Sequence, residues 1–313
     1  MMNEPASLTH GIHAVKRAQR LLAGVAAICV AGGVAAQAHE PPGQAPDSGQ
    51  TREESGYTLF HPVPAAYMRE LNADRPDKTD CPFTVDAGHL QLEMDFANLT
   101  YNRARPGRGK LRSTAAEFAP MNLKAGVLDA VDFQLVLTPY QWEDTGVGTA
   151  KAGTQRSWFN SITPRFKVNL IGNDGGFFAL ALIPFISIPL KHGQPGDAAA
   201  EGGLGIPFSF DVPGWDVGFQ STVHFNHDLA GDGHHREFDN SVSIGHALIG
   251  NLSLAAEFFG SVSTERGASW VGTADCWLTY QVEGNLRIDG GLYMGLTAAA
   301  DDWHPWLGTT WRF

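Results

Sequence analysis

The sequence predicts an all-β protein, a transmembrane antiparallel β-barrel of about twelve strands. Polar and apolar residues alternate from Val85 to the end of the chain, short and longer connections alternate between strands, and the chain ends on an aromatic strand. Alternation with a period of two directs one face of each strand to lipid and the other to a polar interior. A secreted β-sandwich is the alternative, and it would have shorter strands and no lipid-facing band.

The closing strand, residues 303–313 (W-H-P-W-L-G-T-T-W-R-F), shows this alternation clearly. One face of this strand carries Leu307, Thr309, Trp311 and Phe313, and the other carries Gly308, Thr310 and Arg312. An aromatic carboxy-terminus with a second aromatic residue two positions earlier is typical of the last strand of an outer-membrane barrel. We therefore interpret Trp311 and Phe313 as the C-terminal barrel signal.

The amino-terminus predicts a cleaved secretory signal peptide over residues 1–38. Basic residues around Arg17 precede an apolar run at 21–36, and Ala36-Gln37-Ala38 is a small-x-small cleavage site. We expect the exported chain to begin near His39, with a flexible periplasmic segment over 39–80 and the barrel over 81–313.

The segment 39–80 begins with a proline-rich stretch that is typical of disordered chain. Residues 57–71 are more apolar, and they predict a short helix or a segment lying against the barrel. Residues 74–79 (D-R-P-D-K-T) carry charges of both signs. We interpret them as a solvated linker; the alternative is a plug-like segment that enters the barrel mouth.

The polar positions of the alternating segments predict which side chains line the barrel interior. Residues 89–96, for example, alternate polar and apolar side chains over their whole length. The predicted lumen-lining residues are His89, Glu93, Asp95, Asp132, Gln134, Arg165, Lys167, Asn169, Asp216, Glu257, Arg287 and Asp289. Acids outnumber bases in this set, so we expect the lumen to favour cations or neutral solutes.

Turn signals divide the predicted strands. Short turns are expected at 128–130, 172–176, 212–214, 250–251 and 283–285, and longer connections at 102–112, 143–156, 191–200, 229–236, 265–268 and 299–302. An aromatic girdle is expected at the outer strand ends from Tyr140, Trp142, Trp158, Trp270, Trp303 and Trp306, and at the periplasmic ends from Phe177, Trp215, Trp311 and Phe313. Bulges or early strand ends are expected at Pro139, Pro164, Pro184 and Pro207.

Composition excludes several classes of protein. The net charge of −11 argues against a nucleic-acid partner. An apolar fraction of 43% is ordinary for a soluble protein and for a barrel, and far below that of a helical membrane protein. With three cysteines, one of them in the signal peptide, the chain is no disulfide scaffold; pairing of Cys81 with Cys276 is the alternative to two free thiols.

The chain resembles a family of outer-membrane proteins described as "Putative MetA-pathway of phenol degradation" and often named as transporters. The matching stretches are 74–79 (D-R-P-D-K-T), 84–89 (T-V-D-A-G-H) with Gln91 and Glu93, 173–176 (N-D-G-G), 201–203 (E-G-G), 263–267 (S-T-E-R-G) and 311–313 (W-R-F). They cover the chain from about residue 71 to its end. The resemblance implies a barrel with a transport role, and it includes no catalytic constellation.

We expect an outer-membrane channel or transporter of a Gram-negative cell that passes small solutes, aromatic or other hydrophobic compounds among them, through a narrow polar lumen. The expected partners are the lipid bilayer with its lipopolysaccharide, the barrel assembly machinery and a small solute; no cofactor is expected. The alternative is a structural or ligand-binding barrel with a filled lumen, because twelve strands lie between filled and open barrels.

Two other classes follow from particular residues. A phospholipase-type enzyme would need a Ser–His pair, but Ser243 and His246 are three residues apart on one strand and face opposite sides, so no enzyme is expected. A surface metal site is the other alternative, since imidazoles suit zinc, copper and nickel. Its candidate ligands are His224, His227, His234 and His235.

Overall fold

The protein is a β-barrel in which one antiparallel sheet closes on itself. The computed structural model describes residues 56–103, 112–147, 150–190, 200–228 and 233–313, and these residues belong to one unit, Gly49–Phe313. The predicted signal peptide, 1–38, and the proline-rich stretch up to residue 55 lie outside the described residues.

Fifteen strands make up the sheet in the described part of the chain. They are β1 (Leu90–Asn102), β2 (Arg112–Phe118), β3 (Met121–Leu128), β4 (Val131–Leu137), β5 (Tyr140–Val147), β6 (Ala150–Trp158), β7 (Ser161–Ile171), β8 (Phe178–Pro189), β9 (Glu201–Val212), β10 (Trp215–His227), β11 (His234–Ile249), β12 (Leu252–Ser263), β13 (Val271–Glu283), β14 (Leu286–Gly295) and β15 (Trp303–Arg312). The barrel closes between β15 and β1, where Gln91 pairs with Arg312 and Tyr101 with Trp303. A closed barrel leaves no free sheet edge, which rules out the sandwich alternative.

Twelve strands form the closed ring, because β2–β3, β4–β5 and β6–β7 are each one strand interrupted at a single point. The interruptions lie at Ala119 and Pro120, at Pro139, and at Phe159. Ala119 and Phe159 have φ values of 53° and 45°, in the left-handed region that side chains disfavour. β1 is bulged near the same level, between Asp95 and Ala97. The predicted fold class and strand number are confirmed.

The prolines behave differently from one another. Pro139 ends β4, as expected. Pro164, Pro184 and Pro207 lie within β7, β8 and β9, and the register runs past each of them without a shift, so the bulges expected there are wrong. Each proline removes one ladder hydrogen bond, and the bonds of the neighbouring residues hold the register.

The two ends of the barrel differ as the connection lengths predict. The turns after β3, β7, β9, β11 and β13 are short and share one end with the start of β1 and the end of β15. We name this the periplasmic end and the opposite one the outer end. The connection expected at 143–156 is shorter than predicted, because β5 runs to Val147 and β6 begins at Ala150.

The burial pattern is inverted relative to a water-soluble protein. Polar and charged side chains outnumber apolar ones among the buried residues that the structure describes, while Leu307, Trp311 and Phe313 are exposed on the outside. In β15, Thr310 and Arg312 point inward, as the alternation predicts. Trp306, expected in the aromatic girdle, is buried at 5% exposure, because it shares the inward face with Gly308.

Leu307→Arg is expected to destabilise the barrel in bilayers by about 2–4 kcal/mol, because a charge on the lipid face near mid-strand must be desolvated. The measurement is the free energy of unfolding in lipid vesicles by urea titration. The same change at Ala268, exposed in an outer connection, is the control. Equal unfolding free energies for the two variants would contradict a lipid-facing position for Leu307.

One short helix and the cysteines complete the fold. A 3-10 helix, Ala65–Tyr67, lies in the stretch where a short helix was predicted. In the part of the chain that the structure describes, none of the helices has the length and apolar character needed to cross a membrane. Cys81 and Cys276 are both free thiols.

A polar plug inside the barrel

Residues 56–88, here called the plug segment, fold into the barrel from its periplasmic end. Leu59 donates a backbone hydrogen bond to Val127 O at 2.9 Å, so the segment starts at the rim beside the β3–β4 turn. Its return limb ends there too, where Val63 N donates to Ala87 O at 3.0 Å. Between these points the chain runs into the lumen and back, and residues 74–80 form its tip.

The interpretation of residues 74–79 as a solvated linker is wrong. Asp74 and Thr79 are buried at 5% and 4% exposure, and Asp74, Arg75 and Lys78 are paired with charges of the barrel wall. The plug alternative describes this stretch correctly.

Asp74 makes the most heavily charged contact of the tip. Its carboxylate pairs with Lys124 Nζ of β3 at 2.6 Å, with Arg165 Nη2 of β7 at 3.1 Å, and with Lys167 Nζ. Burial alone would raise the pKa of Asp74, but Lys124, Lys167 and Arg165 together hold it well below its usual range. Asp74 is therefore ionised and clamps the tip to one side of the barrel.

Arg75 clamps the tip to the adjoining part of the wall, because β1 is the neighbour of β3 in the sheet. Its guanidinium pairs with Asp95 Oδ1 of β1 at 2.6 Å and with Asp289 Oδ1 of β14 at 2.5 Å, and it lies 5.5 Å from the ring centre of Trp306. Gly308 makes room for this arginine, because a Cβ at that position would overlap the Arg75 guanidinium. The position of Arg75 therefore explains why β15 has a glycine, Gly308, on its inward face.

The rest of the tip bonds to strands farther round the barrel, beyond β14. Lys78 pairs with Asp275 Oδ2 of β13 at 2.7 Å, and its backbone N–H donates to the Glu257 carboxylate of β12 at 3.0 Å. Thr79 Oγ1 lies 2.7 Å from Ser241 Oγ of β11. With Asp74 and Arg75, these bonds attach the tip to strands around most of the barrel circumference.

The stem of the plug segment is held at the periplasmic end. Arg69 Nε donates to Asp86 Oδ1 at 2.8 Å across the two limbs, and its Nη2 pairs with Asp129 of the β3–β4 turn at 3.2 Å. Arg312 Nη1 also reaches Asp86, at 3.3 Å. The return limb passes so close to β3 that a Cβ on Gly126 would overlap the backbone of Asp86.

The thiol of Cys81, in the plug segment, is a poor nucleophile in this environment. Cys81 Sγ lies 3.3 Å from Asp74 Oδ1 and 3.6 Å from Lys167 Nζ. Burial raises the pKa of the Cys81 thiol to about 12, despite the nearby lysine. A protonated, buried thiol is a poor nucleophile.

A cavity of about 740 Å³ lies between the plug segment and the wall of β9–β14. Its lining combines the indole ring of Trp277 with charged groups such as Asp216 and Arg287. It includes residues 173–176 of the β7–β8 turn, so the cavity reaches the periplasmic end. The plug leaves this side of the lumen unfilled.

All but two of the predicted lumen residues contact the plug segment. His89 Nε2 donates to Val63 O, and nine others bond to the segment directly: Glu93, Asp95, Asp132, Arg165, Lys167, Asn169, Glu257, Arg287 and Asp289. Gln134 instead bonds to Asp132, and Asp216 lines the cavity. The prediction missed Lys124, although Asn122 and Lys124 alternate with Leu123 in the same way.

The four histidines considered as metal ligands do not converge. His224 Nε2 bonds to Asp239 Oδ2 at 2.9 Å, and His227 stacks on His234 with 4.1 Å between ring centres. His235 bonds instead to Asp228.

Ser243 and His246 also have separate partners. The Ser243 hydroxyl bonds to Asp77 of the plug tip. His246 Nδ1 bonds to Gly214 O at 2.5 Å, and its ring stacks on Trp215. These two residues therefore do not form a nucleophile–base pair here.

The chain aligns with several solved structures. The fold is similar to the COG4313 outer membrane channel from Pseudomonas putida F1, with a TM-score of 0.53 at 11% identity over 72% of this chain and 94% of that one. The NanC porin aligns with a TM-score of 0.43 at 9% identity over 71% of this chain and 98% of that one. The β-domain of the Bordetella autotransporter Brka aligns with a TM-score of 0.40 at 11% identity over 72% and 98%.

No curated protein matches the chain. The model of the family described as "Putative MetA-pathway of phenol degradation" matches residues 73–313, from the plug tip to the last residue. Since this match spans well over half of the sequence, the chain belongs to that family, and its fold is that of the outer-membrane β-barrels.

Proposed function

We propose that the protein is an outer-membrane channel for small solutes, and that its plug segment must move for the lumen to open. The barrel fold and the family support a place in the outer membrane, in contact with lipid and lipopolysaccharide. The single observation that carries the proposal is the tip, which Asp74, Arg75, Lys78 and Thr79 attach to strands around most of the lumen.

The mode of attachment favours a movable plug over permanent filling. The tip is held by ion pairs and hydrogen bonds, and water can replace these partners when the tip withdraws. An apolar core of the same size would resist hydration. The limbs of the plug segment meet at the periplasmic rim, so the tip can leave the lumen while the stem stays attached.

The cavity suggests which solutes the channel takes. The indole ring of Trp277 offers a stacking surface, and Asp216 and Arg287 offer polar contacts of both signs. This combination suits small aromatic or amphipathic molecules without a large net charge.

Withdrawal of the tip would also change the charge of the lumen. Asp95 and Asp289 would lose Arg75, Asp275 would lose Lys78, and three wall cations would lose Asp74. Because acids outnumber bases among the lumen-lining residues, the open lumen is expected to be acidic and to favour cations over anions among the ions it passes.

A disulfide between the tip and the wall tests whether the plug must move. Thr79→Cys with Ser241→Cys replaces two hydroxyls that lie 2.7 Å apart, a separation that a disulfide can bridge after a small shift. Cys81→Ser removes the competing thiol. In planar bilayers the oxidised variant should show no conductance and no solute flux, and reduction should restore both.

The matched control is the Cys81→Ser chain treated with the same oxidant and reductant, which should conduct in both states. Conductance that survives a verified disulfide would show that solutes pass the plug without moving it. Silence of the reduced and control proteins, with folding confirmed, would favour the barrel with a permanently filled lumen.

A further inference from the structure

Three side chains converge at the outer end of the barrel, away from the plug. Asp228, His235 and Glu265 each present one potential ligand atom, and these atoms lie within 4.8 Å of one another. Asp228 follows β10, His235 lies at the start of β11, and Glu265 follows β12. They join two outer connections that are separate in sequence.

The strand register places all three on the lumen side. His235 pairs with Asn226, two residues before Asp228, so both lie on the face that carries buried Thr222. Glu265 continues the face of β12 that carries buried Ser261. The period of two therefore points the three side chains toward the mouth of the lumen.

Backbone contacts hold the cluster in place. Asp228 N donates to Gly233 O at 3.0 Å and closes the β10–β11 connection. Arg236 and Thr264 exchange two hydrogen bonds, of 2.8 and 2.9 Å, which tie the start of β11 to the connection after β12. Glu265 N donates to Ser263 Oγ at 3.0 Å. The ligand geometry is thus set before any ion binds.

Gly233 contributes a shape that a larger residue would destroy. A Cβ at this position would overlap the Asp228 carboxylate, so the glycine lets that carboxylate fold over the backbone toward His235. His235 Nδ1 lies 2.9 Å from Asp228 Oδ1, and the His235 side chain is only 8% exposed.

We infer that Asp228, His235 and Glu265 form a binding site for a divalent transition-metal ion, with Zn²⁺ as the best fit. One imidazole and two carboxylates are ligands that zinc accepts, and three protein ligands leave a fourth position for water or a solute group. The bound ion would link the β10–β11 and β12–β13 connections at the outer mouth. This site is independent of the plug and of the proposed channel function.

The test is calorimetric titration of Zn²⁺ into the tag-free, refolded chain in detergent. The natural chain should bind one ion, and His235→Ala and Asp228→Asn should each weaken binding by at least about tenfold. Thermal unfolding of each protein without metal confirms that the variants fold. With Zn²⁺ present, the natural chain should gain more thermal stability than either of these two variants, because an ion that binds the folded state stabilises it.

His234→Ala is the matched control. His234 lies next to His235 but stacks on His227 on the other face of the hairpin, so its loss should leave the zinc affinity unchanged. Absence of zinc binding by the natural chain would overturn the proposal. So would binding that His234→Ala abolishes and His235→Ala leaves intact, which would assign the ion to the outward-facing pair.

Discussion

Asp74→Asn is expected to destabilise the plugged state of the barrel by about 3–5 kcal/mol, because it removes one partner of a buried ion pair. Lys167 is fully buried, and Asp74 is the carboxylate within ion-pair distance of it among the described residues. Arg165 loses one of its two carboxylate partners at the same time. The asparagine retains the shape of the side chain, so the loss measures the charge and little else.

Two measurements report this change. Hydrogen exchange of the backbone amides of residues 74–80 should accelerate, because the tip leaves the lumen more often. Conductance in planar bilayers should show openings that are more frequent than in the natural chain. Glu70→Gln is the control, since Glu70 belongs to the same segment and has an exposed side chain. Unchanged exchange in the Asp74 variant would refute the anchoring role of this carboxylate.

Arg75→Met is expected to lower the free energy of unfolding by a similar amount, about 3–5 kcal/mol, because it leaves Asp289 buried without its counter-ion. The double variant Arg75→Met, Asp289→Asn should recover part of this loss, because it removes the uncompensated charge as well. The measurement is the free energy of unfolding of the four proteins of the double-mutant cycle, with an expected coupling of about 1–3 kcal/mol.

Arg266→Met is the control for Arg75→Met, because Arg266 is exposed in the connection after β12 and its loss should change the unfolding free energy little. Additive effects of the Arg75 and Asp289 substitutions would show that the pair is energetically independent, and the clamp on this side of the lumen would then be wrong.

The barrel was predictable from the chain because its signal is local. Each strand repeats with a period of two, and Thr310 and Arg312 face inward while Leu307 and Trp311 face outward because of that period alone. Trp306 obeys the same period, because its even position puts it on the inward face with Thr310. The girdle position was predicted for it from its residue type alone.

The plug was not predictable in the same way. Residues 74–79 have the composition of a solvated linker, and nothing within the segment distinguishes burial from exposure. Burial depends on charged partners far away in the sequence. Lys124 and Lys167 lie 50 and 93 positions from Asp74, and Asp289 lies 214 positions from Arg75.

The candidate metal ligands also depended on both the sequence and the tertiary structure. Composition identified a connection rich in histidine, but strand register selected His235 and excluded His234, and it brought in Glu265 from another connection. Alternation and turn signals predicted the number of strands and most of their inward and outward faces, because neighbouring residues set these. Which charges meet in the lumen depends on the closed barrel, because a buried charge is stable only beside a partner that closure supplies.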